Sequence, residues 1–276
     1  MSKRTVIITG ASDGIGAAAA RNLSARGDHV VVVGRSAPKT RSVADSLGAD
    51  FAVADFSDLD HVRQLADTLL ERYDHIDVLA NNAGGLMGVR ESTIDGNEKT
   101  FQVNHLAPFL LTTLLMDRLL QSQATVINTS SAANLLFGKI TIDDLNAEDR
   151  YSSNRAYGDA KLANILFTQE LHRRYHDQGL NTAAFHPGIV STSFSHGSQS
   201  FLRHVYQTPL KRLLKSPEQG SDTLVWLATT TPNVDWISGE YYEKRRAAKK
   251  NRQAADPALA RQLWERSIDL VAAPVV

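Results

Sequence analysis

Tyr157 and Lys161 stand four residues apart in Tyr-Gly-Asp-Ala-Lys. Four residues is about one helical turn, so on a helix the phenol and the ammonium share a face. A phenol with a pKa of about 10 is a poor acid or base at neutral pH. A nearby cation favours the phenolate, lowers that value and turns the pair into a proton donor or acceptor close to working pH. The spacing by itself is common on solvated helix surfaces. Chemistry therefore requires partners, and the chain offers one at its other end.

That partner is the turn Thr9-Gly10-Ala11-Ser12-Asp13-Gly14-Ile15-Gly16, which follows a β-branched run. Glycines there allow a tight strand-to-helix turn and a close approach of backbone to a pyrophosphate, whose charge sits at the helix N-terminus. A ligand-free βα turn has the same look. The next apolar run ends Val33-Gly34-Arg35-Ser36. An acidic residue at such a strand end binds a ribose 2′-hydroxyl, whereas an Arg accommodates a 2′-phosphate. Arg35 therefore points to NADP(H) over NAD(H), unless it is simply solvated. Asp13 works against a phosphate if its carboxylate faces inward.

The elements that must position these groups can be read from periodicity. Strands are expected at residues 6–9, 29–33, 49–53, 77–80, 125–128, 181–185 and 239–242. Helices are expected at 14–26, 39–47, 58–73, 98–120 with an interruption near Pro108, and 156–175. Strands alternate with helices throughout. The pattern predicts one α/β domain over residues 1–276, a Rossmann-type doubly wound fold with a seven-stranded parallel sheet and helices on both faces. Residues 134–154 and 191–216 carry no clear pattern, and loops of that length are usually functional or mobile. Residues 243–276 read as a C-terminal extension.

Composition narrows the function. Thirty Lys plus Arg balance thirty Asp plus Glu, so no global field attracts a polyanion and no nucleic-acid partner is expected. The absence of cysteine excludes disulfides, thiolate metal sites and cysteine nucleophiles, and is compatible with a cytoplasmic protein. The nine His show no metal-ligand spacing, so no metal is expected. The opening run stops at Gly10, as a strand and not a signal peptide does, and no apolar stretch is long enough to span a bilayer.

Gly10, Gly14 and Gly16, Asn81-Asn82-Ala83-Gly84, Asn104, Asn128-Thr129-Ser130-Ser131, Tyr157 with Lys161, and His186-Pro187-Gly188 occur in an order that resembles the short-chain dehydrogenases/reductases. The resemblance runs from residue 5 to about residue 242. It implies a catalytic set of Asn104, Ser131, Tyr157 and Lys161. Ser131 would hydrogen-bond the substrate carbonyl and Tyr157 would donate the proton in reduction. Lys161 would lower the Tyr157 pKa and bind the nicotinamide ribose, and Asn104 would hold a water linking Lys161 to bulk. The cofactor would meet Gly10, Ser12, Asp13, Gly14, Ile15, Gly16 and Arg35, with Asp55 and Phe56 at the adenine. Asn82, Ala83 and Gly84 would pack beside it, and Pro187, Gly188, Ile189 and Thr192 would lie at the carboxamide. Developing negative charge on a carbonyl oxygen is what a hydroxyl, a phenol proton and a cation stabilise together.

A closer similarity is to retinol dehydrogenase-type members. It rests on Gly138-Lys139-Ile140, Asp144-Leu145, Arg150-Tyr151-Ser152, Ala156-Tyr157 and Lys161-Leu162-Ala163-Asn164-Ile165-Leu166-Phe167, with a long insert between Ser131 and Tyr157. It implies a bulky, apolar ketone, aldehyde or alcohol as substrate. The membrane anchor of the animal enzymes is not carried over, and both monomer and homodimer stay open. Residues 200–215 carry an apolar and a basic face. They read first as a substrate lid, next as a core helix and last as a membrane-surface helix. Residues 244–252 hold six cations and read as a solvated loop. A non-catalytic NADP(H) sensor on the same fold is the alternative to an enzyme, though a sensor has no need of Ser131, Tyr157 and Lys161 together.

Overall fold

The computed structural model describes residues 3–149, 151–188, 190 and 215–272. Its centre is an eight-stranded sheet in the order β3-β2-β1-β4-β5-β6-β7-β8. The strands are β1 (Thr5–Thr9), β2 (His29–Gly34), β3 (Asp50–Val53), β4 (Val78–Asn81), β5 (Thr125–Thr129), β6 (Asn181–His186), β7 (Glu240–Glu243) and β8 (Arg246–Ala247). The first seven run parallel and β8 is antiparallel to β7. The expected seven-stranded parallel sheet thus gains an eighth, two-residue edge strand.

That edge lies where a solvated loop was expected. Lys244 and Arg245 both take left-handed φ values, 52° and 60°, which closes a two-residue hairpin without glycine. The cost is offset by ion pairs: the Arg245 guanidinium meets Asp222 (Nε to Oδ2, 2.8 Å), and Lys250 meets Glu240 at 2.9 Å.

The central strands are buried on both faces, which is why Val-Ile-Ile and Val-Val-Val-Val run without alternation. One face is covered by α1 (Gly14–Ala25), α2 (Ala37–Leu47) and α9 (Pro217–Thr229). The other is covered by α3 (Leu59–Arg72), α5 (Ala107–Leu114), α8 (Ser153–Tyr175) and α10 (Pro257–Ala272). Gly16, Ala17, Ala18, Ala19 and Ala20, small and buried around α1, let it sit tightly between the sheet and α9. Shorter pieces are α4 (Lys99–Phe101), α6 (Met116–Gln121) and α7 (Ala133–Leu136).

Two helices went unanticipated. α9 begins at a capping box between Ser216 and Gln219, with Pro217 in its first turn. α10 brings Trp264 against Phe109 (5.0 Å between centroids) and Phe167 (5.8 Å). The expected interruption of the helix over 98–120 near Pro108 lies just before that residue. Residues Gln102–Leu106 form a π turn between α4 and α5. Pro108 has no N–H for the Asn104 carbonyl four residues earlier, and the wider turn relieves the clash.

Candidate active site

The strand order reverses between β1 and β4, and ligands bind such sheets beyond the strand C-ends at that point. A cleft of about 640 Å³ opens there. At its base the β1–α1 turn is pinned from β4: Asn82 Nδ2 donates to the carbonyls of Thr9 (3.1 Å) and Gly10 (3.3 Å). Thr9 Oγ1 in turn accepts the N–H of Asn82 and of Ala83, both at 3.0 Å. The packing requires glycine. A Cβ on Gly10 would sit 2.7 Å from Ala83 Cα, and one on Gly16 would sit 2.3 Å from the Gly10 carbonyl. Asp13 caps α1, accepting the N–H of Gly14 at 2.7 Å, with its other oxygen 3.8 Å from Lys39 Nζ. The feared inward carboxylate is therefore committed to the cap and to a cation.

Gly34 ends β2 because Ser12 and Thr40 fill its Cβ position, at 2.8 and 2.5 Å. Beyond it Arg35 is exposed on the cleft wall, together with Ser36 and Lys39 at the start of α2. Opposite lie Ala54, Asp55 and the buried Phe56. Asp55 Oδ1 accepts from the Ser57 N–H (3.0 Å) and hydroxyl (2.8 Å), which fixes the side chain at the rim. The donors suit a nucleotide diphosphate with a 2′-phosphate: the α1 N-terminus beyond the Gly14 N–H that Asp13 takes, Arg35 after β2 and Lys39 on α2.

The chemistry-bearing groups meet at the other end of the cleft. Ser131 follows β5, where its hydroxyl accepts the Ala133 N–H at 3.2 Å, and it lines the cleft together with Tyr157 on α8. Lys161, one turn on, is 1% exposed. Its Nζ donates to the Thr129 carbonyl at 3.2 Å and stands 5.4 Å from the Tyr157 ring centroid. Burial pushes the Tyr157 phenol well above its usual range, against the opposing pull of the Ser131 hydroxyl. Burial likewise lowers the Lys161 ammonium to about 7. The expectation of a phenol drawn toward neutrality by Lys161 is not met in the protein alone. The cation expected to do so is itself only partly protonated at neutral pH, and burial keeps the Tyr157 phenol protonated.

Asn104, in the π turn, lies behind the cleft, fully buried, and not in its wall. Its amide donates to the carbonyls of Gly85 and Thr100, both at 2.8 Å, and its Oδ1 accepts the Gly85 N–H at 3.1 Å. A Cβ on Gly84 would meet Asn104 Oδ1 at 2.4 Å and Lys161 Nζ at 3.2 Å. Asn104 therefore clamps the loop after β4 beside Lys161.

The cleft brings together Gly10, Ser12, Asp13, Gly14, Ile15, Gly16, Arg35, Asp55, Phe56, Asn82, Ala83, Gly84, Ser131, Tyr157, Lys161, Pro187 and Gly188. Ile189, Thr192 and nearly all of the 200–215 segment lie outside the described residues. Sequence reading missed Lys39, Leu86, Met87, Val103 and Val190, which also line it. Lys39 had a signal, a cation one turn after Arg35. The apolar ones had none, because nothing in a loop sequence says which way a side chain faces.

A family profile described as short chain dehydrogenase matches residues 4–202. A Streptomyces sp. (strain C5) protein assigned as the daunorubicin C-13 ketoreductase DnrU is 42% identical over 271 residues, covering 96% of this chain and 91% of that one. Mouse (Mus musculus) retinol dehydrogenase 12 is 37% identical over 276 residues, covering 97% and 86%. Among solved structures, a protein assigned as a short chain dehydrogenase of Shigella flexneri 2a str. 301, complexed with NADP, superposes with a TM-score of 0.63 at 25% identity, covering 83% and 92%.

Proposed function

The chain belongs to the short-chain dehydrogenase/reductase family, and from that premise we propose that Ser131, Tyr157 and Lys161 reduce the carbonyl of a bulky, apolar substrate at the expense of NADPH. It is an oxidoreductase of the carbonyl/alcohol type. The observation that carries the assignment of roles is that Ser131, Tyr157 and a buried Lys161 line one end of a cleft whose other end is a glycine-rich phosphate turn.

When bound, NADPH supplies the hydride. The chain supplies the rest. The α1 N-terminus and the 10–16 turn hold the pyrophosphate, Arg35 and Lys39 the 2′-phosphate, and Asp55 the adenine edge. The Ser131 hydroxyl orients the substrate carbonyl. The Tyr157 hydroxyl gives its proton to the oxygen as charge develops there. The Lys161 ammonium binds the nicotinamide ribose and stabilises the phenolate left on Tyr157. Asn104 keeps the 84–85 loop at the distance these groups need. Pro187 and Gly188, continuing to Ile189 and Thr192, would meet the carboxamide.

An apolar substrate is supported by Leu86 and Met87 in the cleft wall and by Leu135, Leu136 and Phe137, all exposed, in the segment that follows Ser131. The ketoreductase named for daunorubicin adds a precedent for a bulky ketone. A single domain over 1–276, a 191–216 lid, a cytoplasmic location and a monomeric or homodimeric state belong to the same proposal. No helix among the described residues is long and apolar enough to cross a membrane.

The test is NADPH and NADH oxidation against daunorubicin and a panel of bulky ketones and aldehydes. Turnover with NADPH is expected. Tight NADPH binding with no turnover of any carbonyl would favour the sensor instead. The cofactor half has its own variant. Arg35→Asp should cost roughly tenfold or more in kcat/KM for NADPH and improve NADH, inverting the preference. Lys39→Ala should weaken NADPH by a smaller factor and leave NADH alone. Equal use of both cofactors by the unmodified protein would defeat the assignment.

A further inference from the structure

Behind Lys161 lies an ordered row of buried polar side chains that the chemistry above does not use. Ser267 on α10 is fully buried, with its hydroxyl 3.0 Å from His105 Nε2. His105 Nδ1 is 3.2 Å from Asn164 Oδ1. Asn164 Nδ2 donates to two carbonyls, those of Asn104 and Thr129, each at 3.0 Å. The Thr129 carbonyl is also the acceptor of the Lys161 ammonium.

The polarity of the row follows from Asn164. Both amide hydrogens go to carbonyls, so its oxygen must accept, and His105 must carry its proton on Nδ1. Nε2 is then an acceptor and the Ser267 hydroxyl its donor. Burial keeps His105 neutral, with a pKa of about 4, to which Lys161 adds a smaller push in the same direction. His105 is thus a fixed donor and no proton shuttle. Turning the Asn164 amide over would set its oxygen against two carbonyls and its NH2 against the His105 N–H. The Asn104 carbonyl needs this partner because Pro108 lacks the N–H that would have served it.

We infer that Asn164, held in one orientation by His105 and Ser267, is a positioning residue for Lys161. It occupies the Asn104 carbonyl and shares the Thr129 carbonyl, so a single backbone bond anchors the ammonium and its remaining hydrogens are free for the cleft. The inference rests on the reading of Lys161 as the group that binds the ribose and supports Tyr157. Among the described residues, the titratable groups facing the ammonium are Tyr157 on the same helix and His105 on the π turn.

The experiment compares Asn164→Leu, His105→Phe and Tyr157→Phe with the unmodified protein. It reads NADPH Kd by nucleotide fluorescence, kcat, and the pH profile of kcat. Asn164→Leu leaves the Asn104 carbonyl without this donor and the Thr129 carbonyl to the Lys161 ammonium alone, which draws the ammonium back toward Thr129. NADPH Kd should rise several-fold and kcat fall on the order of ten- to a hundredfold, since small displacements of a catalytic group have that effect. The pH profile should shift upward by about half a unit or more as the ammonium gains acceptors. His105→Phe keeps the aromatic packing against Phe101, Phe109 and Phe167 and removes only the orientation lock. It should shift the profile in the same direction by less, and it decides the matter if Asn164→Leu does not fold. A lowered melting temperature with unchanged Kd and pH profile in both variants would overturn the positioning role. Near-normal turnover by Tyr157→Phe would instead overturn the underlying reading.

Discussion

Replacing Tyr157 by Phe should lower kcat by about 10²- to 10⁴-fold while NADPH still binds. The ring keeps its place on α8 and only the hydroxyl is lost, so the change isolates proton donation. That hydroxyl is pushed by burial to stay protonated, which suits a donor to a forming alkoxide. Expressed as a barrier, the loss is about 3–5 kcal/mol, more than any single cofactor contact here would supply. Ser131→Ala removes the neighbouring hydroxyl and not the acid, so it should cost less and leave the pH dependence nearly unmoved. Stopped-flow oxidation of NADPH with a substrate turned over by the unmodified protein gives the number. A Phe variant within a few-fold of normal would place the acid elsewhere.

The cleft was legible in the sequence to the extent that its residues sit at strand ends. Gly10, Asn82, Ser131 and Gly188 each lie just past the C-end of a strand, and in a parallel sheet all such ends share one edge. Tyr157 and Lys161 were legible by helical spacing. Other features depended on contacts between distant segments. Asn104 reads as a helix residue near a proline, yet it is a loop clamp, because the π turn rotates its side chain toward Gly85. Arg245 reads as a solvated cation, yet its pairing with Asp222 holds a hairpin that its own backbone preference disfavours. α10 reads in the sequence only as an extension. Its amphipathic face becomes meaningful only once Phe109 and Phe167 offer Trp264 a surface.

The pKa expectation for Tyr157 failed for a physical reason that bears on mechanism. Spacing alone assigns Lys161 a full positive charge. Burial to 1% exposure weakens its hold on the proton, so the protein keeps a cation that is only fully charged in acid or when something anionic or hydrogen-bonding reaches it. On the proposed reading, the ribose hydroxyls of NADPH would supply the partners that the protein leaves out. A group held at such a cost makes the protein less stable than it would be without it.

Lys161→Met should therefore give a protein that is more stable and close to inactive. The stem is kept, so packing changes little. The ammonium holds its proton up to a pH of about 10.5 in an unfolded chain and only up to about 7 here. Below pH 7 both states are protonated and the full cost of burying the charge, of order a few kcal/mol, is present. Between 7 and 10.5 the unfolded chain binds a proton that the folded one does not, so the contribution of this residue to stability improves as pH rises. The melting-temperature gap between Lys161→Met and the unmodified protein should be widest at or below pH 7 and narrow toward pH 9. Cofactor binding should show the mirror image. NADPH favours the ammonium, so above pH 7 binding must take up a proton, and the Kd of the unmodified protein should rise with pH by up to about tenfold per unit. Lys161→Met should bind NADPH more weakly at pH 7 and with no such slope, and its kcat should fall on the order of a hundredfold or more. Thermal melts and fluorescence titrations over pH 6–9 measure both. A gap that widens with pH, or a slope that survives the substitution, would show that the ammonium is not held as its burial requires.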